Sequence, residues 1–421
     1  MTTGAARRVV ATGLGAVSCL GADMDAHWQR LMTGDSGARP VEDDLANILP
    51  GILHAPAIGT SANQVIHNRM LRKLLLPSAS FAVDAAGQAI RDAGLAPAHM
   101  NECGLFFGSV AYEVPGRTFE PAIKASFGPD GAFDFARFGS VGMELVDPLL
   151  IVKGLPNAAP CGISIEHGIR GINVSITSGQ TSGLQAVVAA YDAIRDGLID
   201  YAVVGGSDSM LLSEHQLSHH VAGRLRRGHG ADAIAARPFD RDRDGYVLGE
   251  GAAACVLEAE DHARARGARI LAAIAGADDV TWTEASPDID GRGLVAAAGA
   301  VMAHVTVTPR ISVFATGLGT RGDDLREARA ITRLFGRASA VVVTAATGAL
   351  GMTGAASGAF AFVHGIRAMH TRRLPPLTGC REVDPECGIQ AAHAGDESPE
   401  TALVWSTDGA RNVVLAIERC A

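Results

Sequence analysis

Residues 173–191 read NVSITSGQTSGLQAVVAAY. A short β-branched run, Val174 to Thr177, meets a corner of small residues, Ser178-Gly179-Gln180-Thr181-Ser182-Gly183, and an apolar helical pattern follows. Many α/β enzymes hold a nucleophile at such a strand-to-helix corner, where one side chain is exposed beside the N–H groups of a helix start. The apex residue here is Gln180, and a neutral amide has no ionisable proton and forms no acyl intermediate. An enzyme with altered chemistry would have to use Ser178, Thr181 or Thr316, and no histidine stands near any of them in the sequence to act as base.

The other reactive residue types form no recognisable set. The fourteen histidines give no H-E-x-x-H and no Cys/His zinc spacing. The densest group, His215 with His219 and His220, falls among polar residues expected to form a loop, and no metal is expected. Seven cysteines at 19, 103, 161, 255, 380, 387 and 420 include no Cys-x-x-Cys. An odd, scattered count suits reduced thiols in the cytoplasm better than a disulfide framework. A net charge of −9 and a pI near 5.9 argue against nucleic acid or an anionic membrane as the main partner. The longest apolar stretch, 293–307, is Ala-rich, contains His304 and is too short to span a bilayer.

Strand-like and helical runs alternate along the chain. Strands are expected at 8–12, 103–107, 173–177, 201–204, 249–257 and 269–274, and helices at 24–32, 78–93, 158–167, 180–196 and 259–266. Alternation of this kind predicts an α/β fold whose sheets are covered by helices. Arg7-Arg8 before VVATGLG reads as the start of a first strand ending in a glycine turn, rather than as an export signal. The same motif returns as VFATGLG at 313–319, which suggests two related halves. TGLG lacks the third glycine of a dinucleotide loop and reads as a structural turn. The expected loops are 33–68, 109–142, 208–240 and 372–400.

The stretch RPFDRDRDGYVLGEGAAACVLEAEDHARARGARI at 237–270 is the most informative. Gly249, Gly251 and Ala252 to Ala254 suggest close backbone approach in a crowded interior. It resembles the R-P-F-D-x-x-R-D-G-F-V-x-G-E-G-A segment of the β-ketoacyl synthases. RRVVATGLGAVSCLG, LPNAAPCGISIEHGIRG and YDAIRDGLIDYAVVGGSDS extend that resemblance over nearly the whole chain. It implies a thiolase-like five-layer sandwich of two similar α/β halves, here 1–259 and 260–421. It also implies where catalytic residues would stand. The family's nucleophilic cysteine falls at Gln180, its first catalytic histidine at Thr316, its lysine at Ala346 and its second histidine at Gly351. Ser406 and Asp408 replace the phenylalanines of the family's closing glycine loop.

Without a thiolate there is no transacylation, and without two imidazoles nothing stabilises the enolate formed on decarboxylation. The resemblance therefore implies a silent subunit, most like the chain length factor of type II polyketide synthases. Such a chain pairs with an active ketosynthase and lines the tunnel for the growing acyl or polyketide chain. Acyl carrier protein would deliver substrate on phosphopantetheine to the partner, and this chain would need no cofactor of its own. Seven of the thirteen phenylalanines fall between 106 and 138. Phe106 and Phe107 read as strand core; Tyr112, Phe119, Phe133, Phe135 and Met143 are the expected tunnel or interface residues. The alternatives are a malonyl-carrier-protein decarboxylase, a thiolase-fold enzyme with altered chemistry, and an acyl-binding protein.

Overall fold

The strand expected at 8–12 runs on to Val17, and its glycines make no turn. A Cβ on Gly13 would lie 2.2 Å from the Ala89 carbonyl oxygen, and one on Gly15 2.0 Å from that of Ala85. Both glycines exist so that the helix Pro77–Asp92 can lie directly on the strand. The computed structural model describes residues 6–42, 45–59, 62–109, 114–226, 235–284, 286–305, 310–336 and 341–420.

Among these residues the strands are β1 (Val9–Val17), β2 (Arg39–Pro40), β3 (Leu53–Ala55), β4 (Gly104–Gly108), β5 (Asn173–Ile176), β6 (Tyr201–Ser209), β7 (Leu248–Ala259), β8 (Ala272–Thr281), β9 (Ile311–Phe314), β10 (Val341–Thr344), β11 (Gln390–Ala391), β12 (Thr401–Thr407) and β13 (Arg411–Glu418). Ten of them form two sets of five with one topology, β1-β7-β6-β4-β5 and β8-β13-β12-β9-β10. Numbered within its own set, each runs 1-5-4-2-3. In both, strand 5 is antiparallel to its two neighbours and strands 4, 2 and 3 are parallel. A short antiparallel pairing of Val9–Ala11 with Ala272–Ile274 joins the sets.

The duplication is real, but the repeated GLG motif does not mark it. VVATGLG lies within strand 1 of the first set, whereas VFATGLG leaves strand 2 of the second. Only the second copy is a turn, with Gly317 at φ 51° and Gly319 at φ 77°.

Strand residues alternate between two apolar cores, as a sheet buried on both faces requires. In β7, Ala253, Cys255 and Leu257 face the central core while Ala252, Ala254 and Val256 face the helix Pro77–Asp92. The central core holds the helices Ser182–Arg195 and Ser357–Thr371, each packed on strands of both sets. Outside lie Pro77–Asp92 with Ala158–His167 on one side, and Arg292–Met302 with Arg321–Phe335 on the other. Helix, sheet, helix, sheet, helix: this is the thiolase-like five-layer sandwich.

Three of the expected loops contain helix, 33–68 only as the four-residue turns Leu45–Ile48 and Ala62–Val65. Residues 213–221 form the helix Ser213–Val221, so His215, His219 and His220 stand on a helix rather than a loop. The described part of 109–142 folds into short turns, Gly116–Phe119, Glu120–Ala125, Phe135–Arg137 and Phe138–Gly142. Polar periodicity hid the helix Ser213–Val221, and segments as short as the others carry no periodic signal. No described helix is long and apolar enough to cross a membrane.

Candidate functional site

Strand β5 ends at Ile176, and the chain turns through Gly179–Thr181 into the helix Ser182–Arg195. Gly179 supplies the positive φ, 70°, that the corner needs. Ser182 Oγ accepts from the Ser178 N–H at 2.8 Å and donates to the Gly179 carbonyl at 2.6 Å. Ser178 Oγ donates to Gln185 Oε1, and Gln185 Nε2 donates to the Asp279 carboxylate on β8, so the corner is pinned to the second set of strands. Gln180 stands half-buried at the apex. Its Nε2 donates to the Thr407 carbonyl, and its own carbonyl accepts from Ser406 Oγ at 3.1 Å.

The second set of strands has a matching corner. Thr353-Gly354-Ala355-Ala356-Ser357-Gly358 repeats the pattern of Ser178-Gly179-Gln180-Thr181-Ser182-Gly183, and each leads through a short turn into a central helix. Gly354 has φ 53°, as Gly179 has 70°. A Cβ on Gly183 would lie 2.6 Å from the Ala355 carbonyl oxygen, and one on Gly358 2.8 Å from Leu184 Cβ, so the two corners press together. This repeat, S/T-G-x-x-S-G, is the sequence signal of the duplication that the GLG echo obscured.

Thr316, Ala346, Gly351 and Ser406 line one cavity of about 20 Å³, along with Thr347, Thr353, Ser357, Phe360 and Trp405. That is space for a water molecule and far too little for an acyl chain. No cysteine, histidine or lysine is among the lining residues. Gln180 is tied to the same cluster through Ser406 and Thr407. The Thr407 N–H donates to Thr316 Oγ1 at 3.1 Å, and Thr347 Oγ1 donates to the Thr316 carbonyl at 2.7 Å. The four positions inferred from the resemblance thus meet in one place, although they come from three loops.

Glu327 is the residue that sequence reading missed. Its buried carboxylate accepts from the N–H groups of Thr316 and Gly317, both at 2.9 Å, and from Trp405 Nε1 at 2.7 Å. Burial pushes this carboxyl above its ordinary range, against those three donors. The available signal was an acid on the inward face of a helix, where Asp324, Glu327, Ala328 and Ile331 share helical spacing.

Gly351 has φ 72° and ψ −173°, and a Cβ there would lie 2.6 Å from the Val247 carbonyl oxygen. Gly351→His is therefore expected to lower unfolding stability by about 3 kcal/mol. Urea titration checks this, and an unchanged midpoint would mean that the backbone relaxes to accept the ring.

No imidazole or carboxylate hydrogen-bonds to the hydroxyl of Ser178, Thr181 or Thr316 among the described residues. A serine–histidine pair does exist elsewhere. Ser18 Oγ lies 2.6 Å from His27 Nδ1, and His27 Nε2 lies 2.7 Å from His364 Nε2. Burial lowers both imidazole pKa values, that of His27 to about 3, so both stay neutral. Ser18 is completely buried, so the chain of hydrogen bonds serves to join the helices Met24–Met32 and Ser357–Thr371.

Phe106 and Phe107 are buried strand core, as expected. Tyr112 lies outside the described residues. Phe119 is half-buried, while Phe133, Phe135 and Met143 are exposed, Phe135 by 82%. Phe133 gathers Phe127, Phe135 and Phe138 around it at centroid distances of 5.8, 5.1 and 5.9 Å. Thirteen of the twenty exposed large apolar side chains among the described residues fall between 123 and 172. Strand β5 follows directly and is the open edge of its set of strands.

Comparison with known proteins agrees with this architecture. The beta-ketoacyl synthase N-terminal domain matches residues 6–263, and the beta-ketoacyl synthase C-terminal domain matches 268–381. Nodulation protein E of Rhizobium sp. (strain N33) is 32% identical over 391 residues, covering 91% of each chain. The tetracenomycin polyketide synthase ketoacyl synthase alpha subunit of Streptomyces glaucescens is 32% identical over 413 residues, 92% of this chain and 91% of that one. Among solved structures, the ishigamide ketosynthase/chain length factor superposes with a TM-score of 0.87 at 24% identity, covering 99% of this chain and all (100%) of the other. A β-ketoacyl synthase from Burkholderia phymatum STM815 superposes with a TM-score of 0.83 at 26% identity over the same shares. With both domains matched in order along one duplicated fold, the chain belongs to the beta-ketoacyl synthase family.

Proposed function

We propose that this chain is a non-catalytic subunit of the chain length factor type, which pairs with an active ketosynthase and helps shape the tunnel for a growing acyl or polyketide chain. One observation carries the reading: the cavity beneath the elbow is lined by no cysteine, histidine or lysine and has space only for water. The partner would hold the nucleophile, and acyl carrier protein would bring phosphopantetheine-linked substrate to it. A solved relative of this shape is named as a ketosynthase/chain length factor, and another as a type II synthase with its acyl-carrier protein, which supports the same two partners here.

The surface supports the pairing. An open strand edge offers unpaired backbone groups that another edge can satisfy, and exposed apolar side chains beside it favour burial. Phe119, Phe133, Phe135 and Met143 sit in the segment that precedes that strand in the chain, and Tyr112 belongs to it in sequence. In this reading these bulky side chains face the partner's pocket and limit chain length sterically.

The test is co-expression with candidate ketosynthases, followed by size-exclusion chromatography with light scattering. A one-to-one complex supports the reading. A homodimer that ignores every ketosynthase, carries an acyl adduct on this chain and elongates it unaided overturns it.

A further inference from the structure

We propose that Gln180 is a positioning residue that latches the β12–β13 hairpin, residues 406–412, over the elbow and holds the cavity below it shut. The latch joins three parts of the chain that are far apart in sequence. Gln180 uses both its side-chain nitrogen and its backbone carbonyl on adjacent hairpin residues, Thr407 and Ser406. Thr316 holds the same residue from the other side, its Oγ1 accepting from the Thr407 N–H at 3.1 Å. Both backbone polar groups of Thr407 are thus held by side chains from two separate loops. Two of the tied residues, Thr316 and Ser406, are themselves part of the cavity wall.

The hairpin has little slack to move without breaking these bonds. Thr407 Oγ1 donates to Asn412 Oδ1 at 2.8 Å and accepts from the Gly409 N–H at 3.1 Å. Asp408 Oδ1 accepts from the N–H groups of Ala410 at 2.9 Å and Arg411 at 2.7 Å. Arg326 packs beneath the tip, since a Cβ on Gly409 would lie 2.9 Å from its Nη1. The second corner carries a corresponding tie. Asp208, near the end of β6, accepts from the Ala355 N–H at 2.8 Å, as Thr407, at the end of β12, accepts from Gln180. Each corner is therefore fastened to the end of strand 4 of the opposite set.

Side-chain length explains the residue at the apex. Gln180 Nε2 is four bonds from Cα, whereas a cysteine sulfur is two, so a cysteine in this backbone position falls short of the Thr407 carbonyl and is a weak donor. The inference rests on the non-catalytic reading only for the purpose of closure, which is to keep carrier-borne chains out of this subunit. The latch itself stands on this chain's own hydrogen bonds.

Hydrogen exchange followed by mass spectrometry, on the full chain in whatever assembly it is purified, tests the latch. Gln180→Ala is expected to speed exchange in the peptide spanning residues 404–414 about tenfold, with the helix 184–195 unchanged. Thr316→Val, which keeps the shape and removes the acceptor, is expected to act in the same direction and stands in if Gln180→Ala fails to fold. Unchanged exchange in the hairpin overturns the proposal. Equal loss of protection in hairpin and helix also overturns it, because that is a general folding role. Light scattering of the same variants reports partner binding separately, so failure of the latch and failure of the subunit reading give different results.

Discussion

Ser175→Pro is expected to leave the chain folded while weakening the proposed assembly with a ketosynthase at least a hundredfold. In the parallel ladder between β4 and β5, Leu105 N–H donates to the Ile172 carbonyl at 2.7 Å and Ser109 N–H to that of Ile176 at 3.0 Å. Alternate residues of β5 therefore face β4, and Ser175 turns its N–H and C=O to the open edge. A proline there removes an outward donor and adds a ring across the edge, without breaking a bond to β4. Among the described residues the side chain of Ser175 makes only two long hydrogen bonds, 3.5 Å to Ser109 Oγ and 3.4 Å to the Pro156 carbonyl. The thermal midpoint is thus expected to hold while the dissociation constant rises, a change of about 3 kcal/mol or more. Isothermal titration with the co-purified ketosynthase measures it. Undiminished affinity would place the partner somewhere other than this edge.

Arg243→Ala is expected to remove about 3–5 kcal/mol of stability, since it strips the cation from a buried ion-pair network. Arg243 is fully buried and donates to Asp384 at 2.5 Å and to the Asp240 carbonyl at 2.8 Å, with Asp324 at 3.7 Å. Its guanidinium holds the Asp384 carboxyl below the usual range. Burial pushes the Asp324 carboxyl up to about 8, with Arg243 and the N–H groups of Phe239 and Gly319 opposing the rise. The variant leaves the Asp384 carboxylate buried without its counter-charge. The arginine also fastens three segments, the 237–245 stretch, the start of the helix Arg321–Phe335 and the loop before β11. Urea or thermal unfolding at pH 7 checks the loss, and a midpoint that does not move would show that Asp384 takes up a proton at little cost.

Residue type is a one-dimensional fact, so the sequence by itself determined what the site lacks. Gln180 occupies the elbow, and no histidine or lysine lies between 305 and 363 whatever the local register. Burial patterns were legible for the same reason. The helix expected at 78–93 and the strand at 249–257 were found within one or two residues, because each presents long apolar periodicity to a neighbour. The interior role expected for Gly249 and Gly251 also holds, with added Cβ atoms 2.2 Å from the Leu350 carbonyl and 2.3 Å from that of Val17.

Partners across the chain were decided only by the tertiary structure. Gln180 meets Thr407 over 227 residues, and Trp405 meets Glu327 over 78, because the 1-5-4-2-3 strand order brings the ends of distant strands together. The GLG repeat misled because one short glycine pattern serves two needs, close approach of a helix in β1 and a left-handed turn after β9. Composition cannot separate those uses, since both ask only for a missing Cβ. What distinguishes them is the backbone angle, positive at Gly317 and Gly319 but not at Gly13 and Gly15 within β1, and only the packed fold sets it.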